Sequence, residues 1–180
     1  MYTRRTRDHR AILAIVVPTL FLALCFLRPA GAAEPAAADP AAARLKSAVS
    51  DMRNAGTAMY AWYLDALEPR RHKGRAATPD LEDVAKVPLI SYADLAKTLV
   101  PKYIRALPQT DPWGHPYEYR LSQDPEADEV MVVRSAGAHG AFSGNVYKVG
   151  GFPAGDASQD LVWKDGYFVR WPELPEMHTN

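Results

Sequence analysis

Cysteine is nearly absent: Cys25 is the only one in 180 residues. A single thiol closes no internal disulfide and supplies no cysteine metal site, so covalent staples and thiolate metal centres are both excluded. Net charge is absent as well, with 21 Lys and Arg against 21 Asp and Glu, and so is the one-sided basic excess of a nucleic-acid binder. Gly-x-Ser-x-Gly does not occur, nor does any His-x-Glu-x-His spacing. Gly137-Ala138-His139-Gly140 and Gly150-Gly151 lack the strand-turn-helix setting of a phosphate loop. No nucleophile or acid–base set is legible, and the expectation is a protein that is not an enzyme.

The zero charge is an average over two unlike parts. Residues 1–33 hold five bases and one acid, a net +4, whereas residues 34–180 hold sixteen bases and twenty acids, a net −4. The first part reads as a secretory signal peptide: a basic stretch at 4–10, an uncharged run at 11–27, then the small residues of 30–33. Ala30-Gly31-Ala32 supplies the small-x-small exit, with cleavage after Ala32 or Ala33. Pro18 weakens the run as a permanent membrane helix, and the alternative is retention of 11–27 as an inner-membrane anchor. Cys25 lies inside this segment, so the cleaved chain has no thiol.

The rest divides into helix and sheet. Residues 34–43 form an Ala- and Pro-rich linker, within which Asp39-Pro40 offers a helix cap followed by proline at the first helical position. Apolar residues then fall at Leu45, Ala48, Met52, Ala55, Met59, Trp62 and Ala66, widened by Val49, Gly56 and Tyr63, which predicts one long helix laid on a sheet near Tyr60, Trp62 and Tyr63. A polar loop runs from Pro69 through the basic cluster at 70–75 to Val87, and Ser91-Tyr92-Ala93-Asp94 caps a short helix carrying Leu95 and Leu99. Period-two alternation predicts a strand at 117–121, a β-rich run predicts one at 129–135, and 161–163 and 167–171 flank the tight-turn pair Asp165-Gly166. The fold class is therefore α+β, a long N-terminal helix on a small antiparallel sheet of about four strands, with a globular domain at 44–172 and a tail at 173–180.

Of the five histidines, His9 and His178 are terminal, His72 lies in the basic loop, and His115 and His139 read as exposed loop residues. Ser143 reads as a turn serine. Asp156, Ser158 and Asp160, at two-residue steps in a glycine-rich stretch from 137 to 155 and beyond, could turn oxygens toward one hard cation such as calcium or hydrogen-bond their own loop.

Leu107-Pro108-Gln109-Thr110-Asp111-Pro112-Trp113-Gly114-His115-Pro116-Tyr117-Glu118-Tyr119 resembles the Leu-Pro-x-Asp-Pro-Trp-Gly-x-Pro-Tyr-x-Tyr motif of the major pseudopilin of type II secretion, with one extra residue before Asp111. Asp51 to Met59 with Tyr63 and Asp65 is similar to the end of that family's long helix. Ser135-Ala136-Gly137-Ala138-His139-Gly140 resembles its Ser-x-Gly-x-Asp-Gly turn, with His139 at the aspartate, and Asp160-Leu161-Val162 resembles a later segment. The likeness covers about 44–172. It implies the pseudopilin globular fold, a structural motif made of Asp111, Pro112, Trp113, Gly114, Pro116, Tyr117 and Tyr119, and calcium in the late loop with Asp156 and Asp160 as ligands. Family members carry Phe-Thr-Leu-x-Glu in a hydrophobic first helix, whereas residues 11–33 here contain no Glu. The expectation is a non-catalytic exported protein, periplasmic or secreted, acting through envelope protein partners, secretion components among them, and not through nucleic acid. The alternative is a membrane-anchored pseudopilin built into a type II secretion pseudopilus.

Overall fold

The computed structural model describes residues 39–67 and 80–174. Residues 1–33 with Cys25 and the run at 11–27, the basic cluster with His72, and His178 lie outside the described residues.

Helix α1 spans Pro40–Leu67. Asp39 caps it by accepting the Ala41 N–H at 2.9 Å, with Pro40 at a position where no N–H is needed. Helix therefore replaces the linker expected over its last four residues. Its buried side carries Leu45, Ala48, Val49, Met52, Ala55, Gly56, Ala58, Met59 and Tyr63. The far end departs from the expected stripe, since Ala66 and Tyr60 are exposed and Trp62 only half-buried. Geometry explains this. An alternating 3–4 spacing averages 3.5 residues, but a helix has about 3.6 per turn, so five turns above Leu45 the inward position falls on Tyr63.

Beyond α1 come β1 (Leu81–Asp83), a 3₁₀ turn at Val84–Lys86, β2 (Leu89–Ile90) and α2 (Tyr92–Leu99). Ser91 caps α2, its side chain accepting the Asp94 N–H. Next follow β3 (Glu118–Leu121), β4 (Met131–Ser135), β5 (Val146–Lys148), β6 (Gly150–Pro153), β7 (Leu161–Lys164) and β8 (Tyr167–Glu173). A six-stranded sheet runs in the order β2-β3-β4-β7-β8-β6, and β1 pairs with β5 as a separate antiparallel ribbon. The α+β class with a helix packed on a multistranded sheet is as expected, but the sheet is larger than four strands and not wholly antiparallel, because β6 runs parallel to β8. The strands not foreseen are two to four residues long, too short to show a period, and all but β2 lie in segments read as polar or glycine-rich loops. The domain also ends later than expected, since β8 reaches Glu173 and Leu174 is buried.

Register gives the sheet two unlike faces. Tyr119, Val133, Trp163 and Phe168 form one cross-strand row, and the helix covers it, with Leu95 and Leu99 of α2 in the same core. The rows on either side, Glu118-Arg134-Val162-Arg170 and Arg120-Val132-Lys164-Tyr167, point the other way. On that face Val84, Val87 and Tyr147 pack over Val132, Val162 and Val169. The arrangement is three layers: helix, sheet and ribbon.

Asp165 and Gly166, both at positive φ, make the β7–β8 turn. The Asp165 carboxylate reaches back to accept the Val130 and Met131 N–H groups, each at 2.9 Å, and so joins that turn to the start of β4.

Candidate functional site

Asp111 organises the approach to β3. Its N–H donates to His115 O at 2.8 Å, and its carbonyl accepts the Gly114 N–H at 2.9 Å. Its Oδ1 accepts the N–H groups of Trp113 (3.0 Å) and His115 (2.9 Å), an Asx-type turn that closes four residues on one carboxylate. Gly114 takes φ 92°, which a side chain resists, and Pro112 and Pro116 sit where the ladder needs no donor from them. The turn aims Tyr117 and Tyr119 into the core under α1, with Trp113 half-buried against them. Both hydroxyls are used. Tyr119 donates to Pro108 O at 2.6 Å and Tyr117 to Asp51 of α1 at 3.2 Å. Burial pushes both phenols up, with the Asp51 charge adding to it, and burial likewise raises the Asp51 carboxyl against the Tyr117 bond that lowers it.

The second oxygen of Asp111 ties this turn to a later one. Ser135 donates its hydroxyl to Asp111 Oδ2 at 2.6 Å and accepts the Gly137 N–H at 3.1 Å, while His115 Nδ1 lies 2.9 Å from Gly137 O. Ser, Asp and His are the components of a hydrolase triad, but here the carboxylate stands between the other two. Ser135 is fully buried and its proton goes to Asp111, not to an imidazole, so the set has no activated nucleophile. It is a brace. His115, expected to be an exposed loop residue, is half-buried within it, whereas His139 is exposed.

A third segment docks on the same point. Gly137 (φ 58°) lies so close to residues 157–159 that a Cβ there would fall 2.5 Å from Ala157 O, and the Ala138 N–H donates to that oxygen at 2.8 Å. Asp156 is half-buried and turns to its own loop, accepting from the Ser158 hydroxyl and Gln159 Nε2, which hold its carboxyl below the usual range. Asp160 is buried, and its Oδ2 accepts the Ser143 N–H (2.9 Å), the Ser143 hydroxyl (2.7 Å) and the Tyr147 hydroxyl (2.9 Å). Three of the four oxygens of these two carboxylates thus accept hydrogen bonds, and the two serve different loops, so they are not arranged together as a calcium pair. Among the described residues no three His, Cys, Asp or Glu side chains gather as metal ligands.

The outer face of the sheet holds charges that are largely buried. Glu118 lies between two guanidiniums, Arg120 Nε at 2.6 Å and Arg134 Nε at 2.8 Å, and Arg120 also donates to Val87 O. Burial works against the Glu118 charge, but the two arginines outweigh it and hold the carboxyl below the usual range. Farther along, Lys164 is fully buried and its Nζ meets Glu82 Oε2 at 2.8 Å and Glu129 Oε2 at 2.9 Å. The Tyr167 hydroxyl donates to the other Glu82 oxygen. The alternation of β3 did signal a charged face. What it could not signal is that the β1–β5 ribbon lies over it.

No helix among the described residues is long and apolar enough to cross a membrane. No family model, curated protein or solved structure matches this chain.

Proposed function

We propose that this chain is a non-enzymatic, exported envelope protein with the pseudopilin globular fold, serving a structural or protein-interaction role. The observation that carries the reading is the use made of the Asp111–Tyr119 motif. The Asp111 carboxylate, His115 Nδ1 and the Tyr117 and Tyr119 hydroxyls are all spent on joining segments to each other and to the core, and the Asp111–Ser135–His115 set presents no activated nucleophile. Export is supported by the order of residues 1–33, basic, apolar and then small, and by the absence of thiol from the remainder. The partners expected are envelope proteins, secretion-system components among them.

Mass spectrometry of the N-terminus, taken together with cell fractionation, tests the reading. The expected result is a soluble exported chain beginning at Ala33 or Glu34. A membrane-extracted chain that keeps residues 11–27 would select the anchored pseudopilin instead, and a cytoplasmic chain with residues 1–33 intact would overturn both.

A further inference from the structure

We infer that Arg134 is a built-in cation for the loop at 141–147, which is ordered by this guanidinium and not by a bound metal ion. The loop is exposed for most of its length and runs into the short β5 at Val146, so its own packing holds it weakly. Arg134 rises beneath it from β4 and is 3% exposed. A guanidinium has five N–H donors in a fixed plane, and all five are matched. Nε and Nη2 make a two-pronged contact with Glu118, at 2.8 and 2.9 Å. Nη2 also donates to Asn145 Oδ1 at 3.1 Å, and Nη1 donates to Gly144 O at 2.7 Å and to the Tyr147 hydroxyl at 2.9 Å. The ring of Phe142 closes the remaining side, its centroid 4.0 Å from Arg134 Cζ.

The acceptors are a carboxylate, a backbone carbonyl, an amide oxygen and a hydroxyl, which are the hard oxygens that calcium takes from a protein. Here they converge on a planar fork that is already cationic. A divalent ion could reach them only by expelling a buried, fully bonded arginine and by leaving that charge without a partner, which is strongly unfavourable. Tyr147 extends the arrangement. It accepts from Arg134, and its own proton lies within reach of Gly144 O and Asp160 Oδ2, so the Asp160 contact with Ser143 belongs to the same network. The loop should therefore keep its form in calcium-poor and calcium-rich surroundings alike, whatever partner the protein meets.

Amide hydrogen exchange of the full exported chain tests this, read at Ser143, Asn145 and Tyr147 in EDTA and again in millimolar calcium. The wild type should exchange at the same rates in both. Arg134→Met removes the fork while Glu118 keeps Arg120 as its partner, so no unpaired carboxylate remains to unfold the sheet. The variant's loop amides should exchange about tenfold faster or more, while Met52 and Val133 in the core stay protected. Calcium that slows the wild-type loop amides by about tenfold, or a folded Arg134→Met variant whose loop exchanges like the wild type, overturns the assignment.

Discussion

Gly56 is the place where α1 rests on the sheet, and replacing it by alanine sets two opposed effects against each other. A Cβ there would lie 2.5 Å from two ring carbons of Trp163 and 2.8 Å from a third. Trp163 is 5% exposed and sits between helix and sheet, so its ring has nowhere to turn. In an open helix Gly→Ala adds about 1 kcal/mol of stability through backbone entropy. Overpacking a closed core costs about 1–3 kcal/mol, and a contact this short with a rigid ring lies at the upper end. The net expectation for Gly56→Ala is a loss of about 2 kcal/mol, or roughly 6–10 °C in melting temperature for a domain of this size. The sign should reverse when the outer ring is taken away. In a Trp163→Phe background the shorter side chain leaves room, and Gly56→Ala should then stabilise by about 1 kcal/mol, a coupling of about 3 kcal/mol between the two positions. Urea denaturation of the four proteins measures it. If Gly56→Ala is as stable as the wild type, or equally harmful beside phenylalanine, the close packing of α1 on Trp163 is not what makes glycine necessary.

Two further outcomes follow from the polar braces. Asp111→Ala leaves the N–H groups of Trp113 and His115 and the Ser135 hydroxyl without their acceptor, and should lower stability by about 3 kcal/mol or more in denaturant melts, whereas Asp111→Asn, which keeps one oxygen, should lose clearly less. Asp165 behaves in the opposite way. Burial raises its carboxyl above the ordinary 3.8 despite two backbone donors, so the folded state holds that proton more tightly than the unfolded chain, and the stability this contributes in acid disappears as pH rises through the folded value. Asp165→Asn retains an acceptor for Val130 and Met131 and suits the positive φ of 45°. Relative to the wild type it should therefore gain stability from acid to neutral pH in paired melts, and a constant difference would refute the account.

Much of the framework was legible in the residues because it depends on local geometry. Asp39-Pro40 opens α1, Ser91 caps α2, Asp165-Gly166 turns one hairpin, and the alternation around Tyr119 with the β-rich runs at Val133 and Trp163 marks the strands that face the helix. Each of these signals acts within a few neighbours, so the chain itself carries it. Pro112, Gly114 and Pro116 were likewise readable as a turn that delivers Tyr117 and Tyr119 to the core.

Burial of charge was a different matter. Glu118, Arg120 and Arg134 occupy the positions where alternation puts water, and nothing in β3 or β4 says that a ribbon made of residues 81–83 and 146–148 will cover them. Strands of three residues leave no periodic trace, and β5 and β6 fall within a stretch whose glycines read as loop. The meeting of Asp111, Ser135 and Gly137, and the commitment of Asp160 to Ser143 and Tyr147, required the same closure. Asp156 and Asp160 stand four positions apart in the chain, yet one keeps to its own loop and the other points inward. The sequence by itself determined where helix, turns and inner face would be, because those follow from neighbours. Only the tertiary structure decided which charges leave water and what compensates them, because that depends on segments distant in the chain coming into contact.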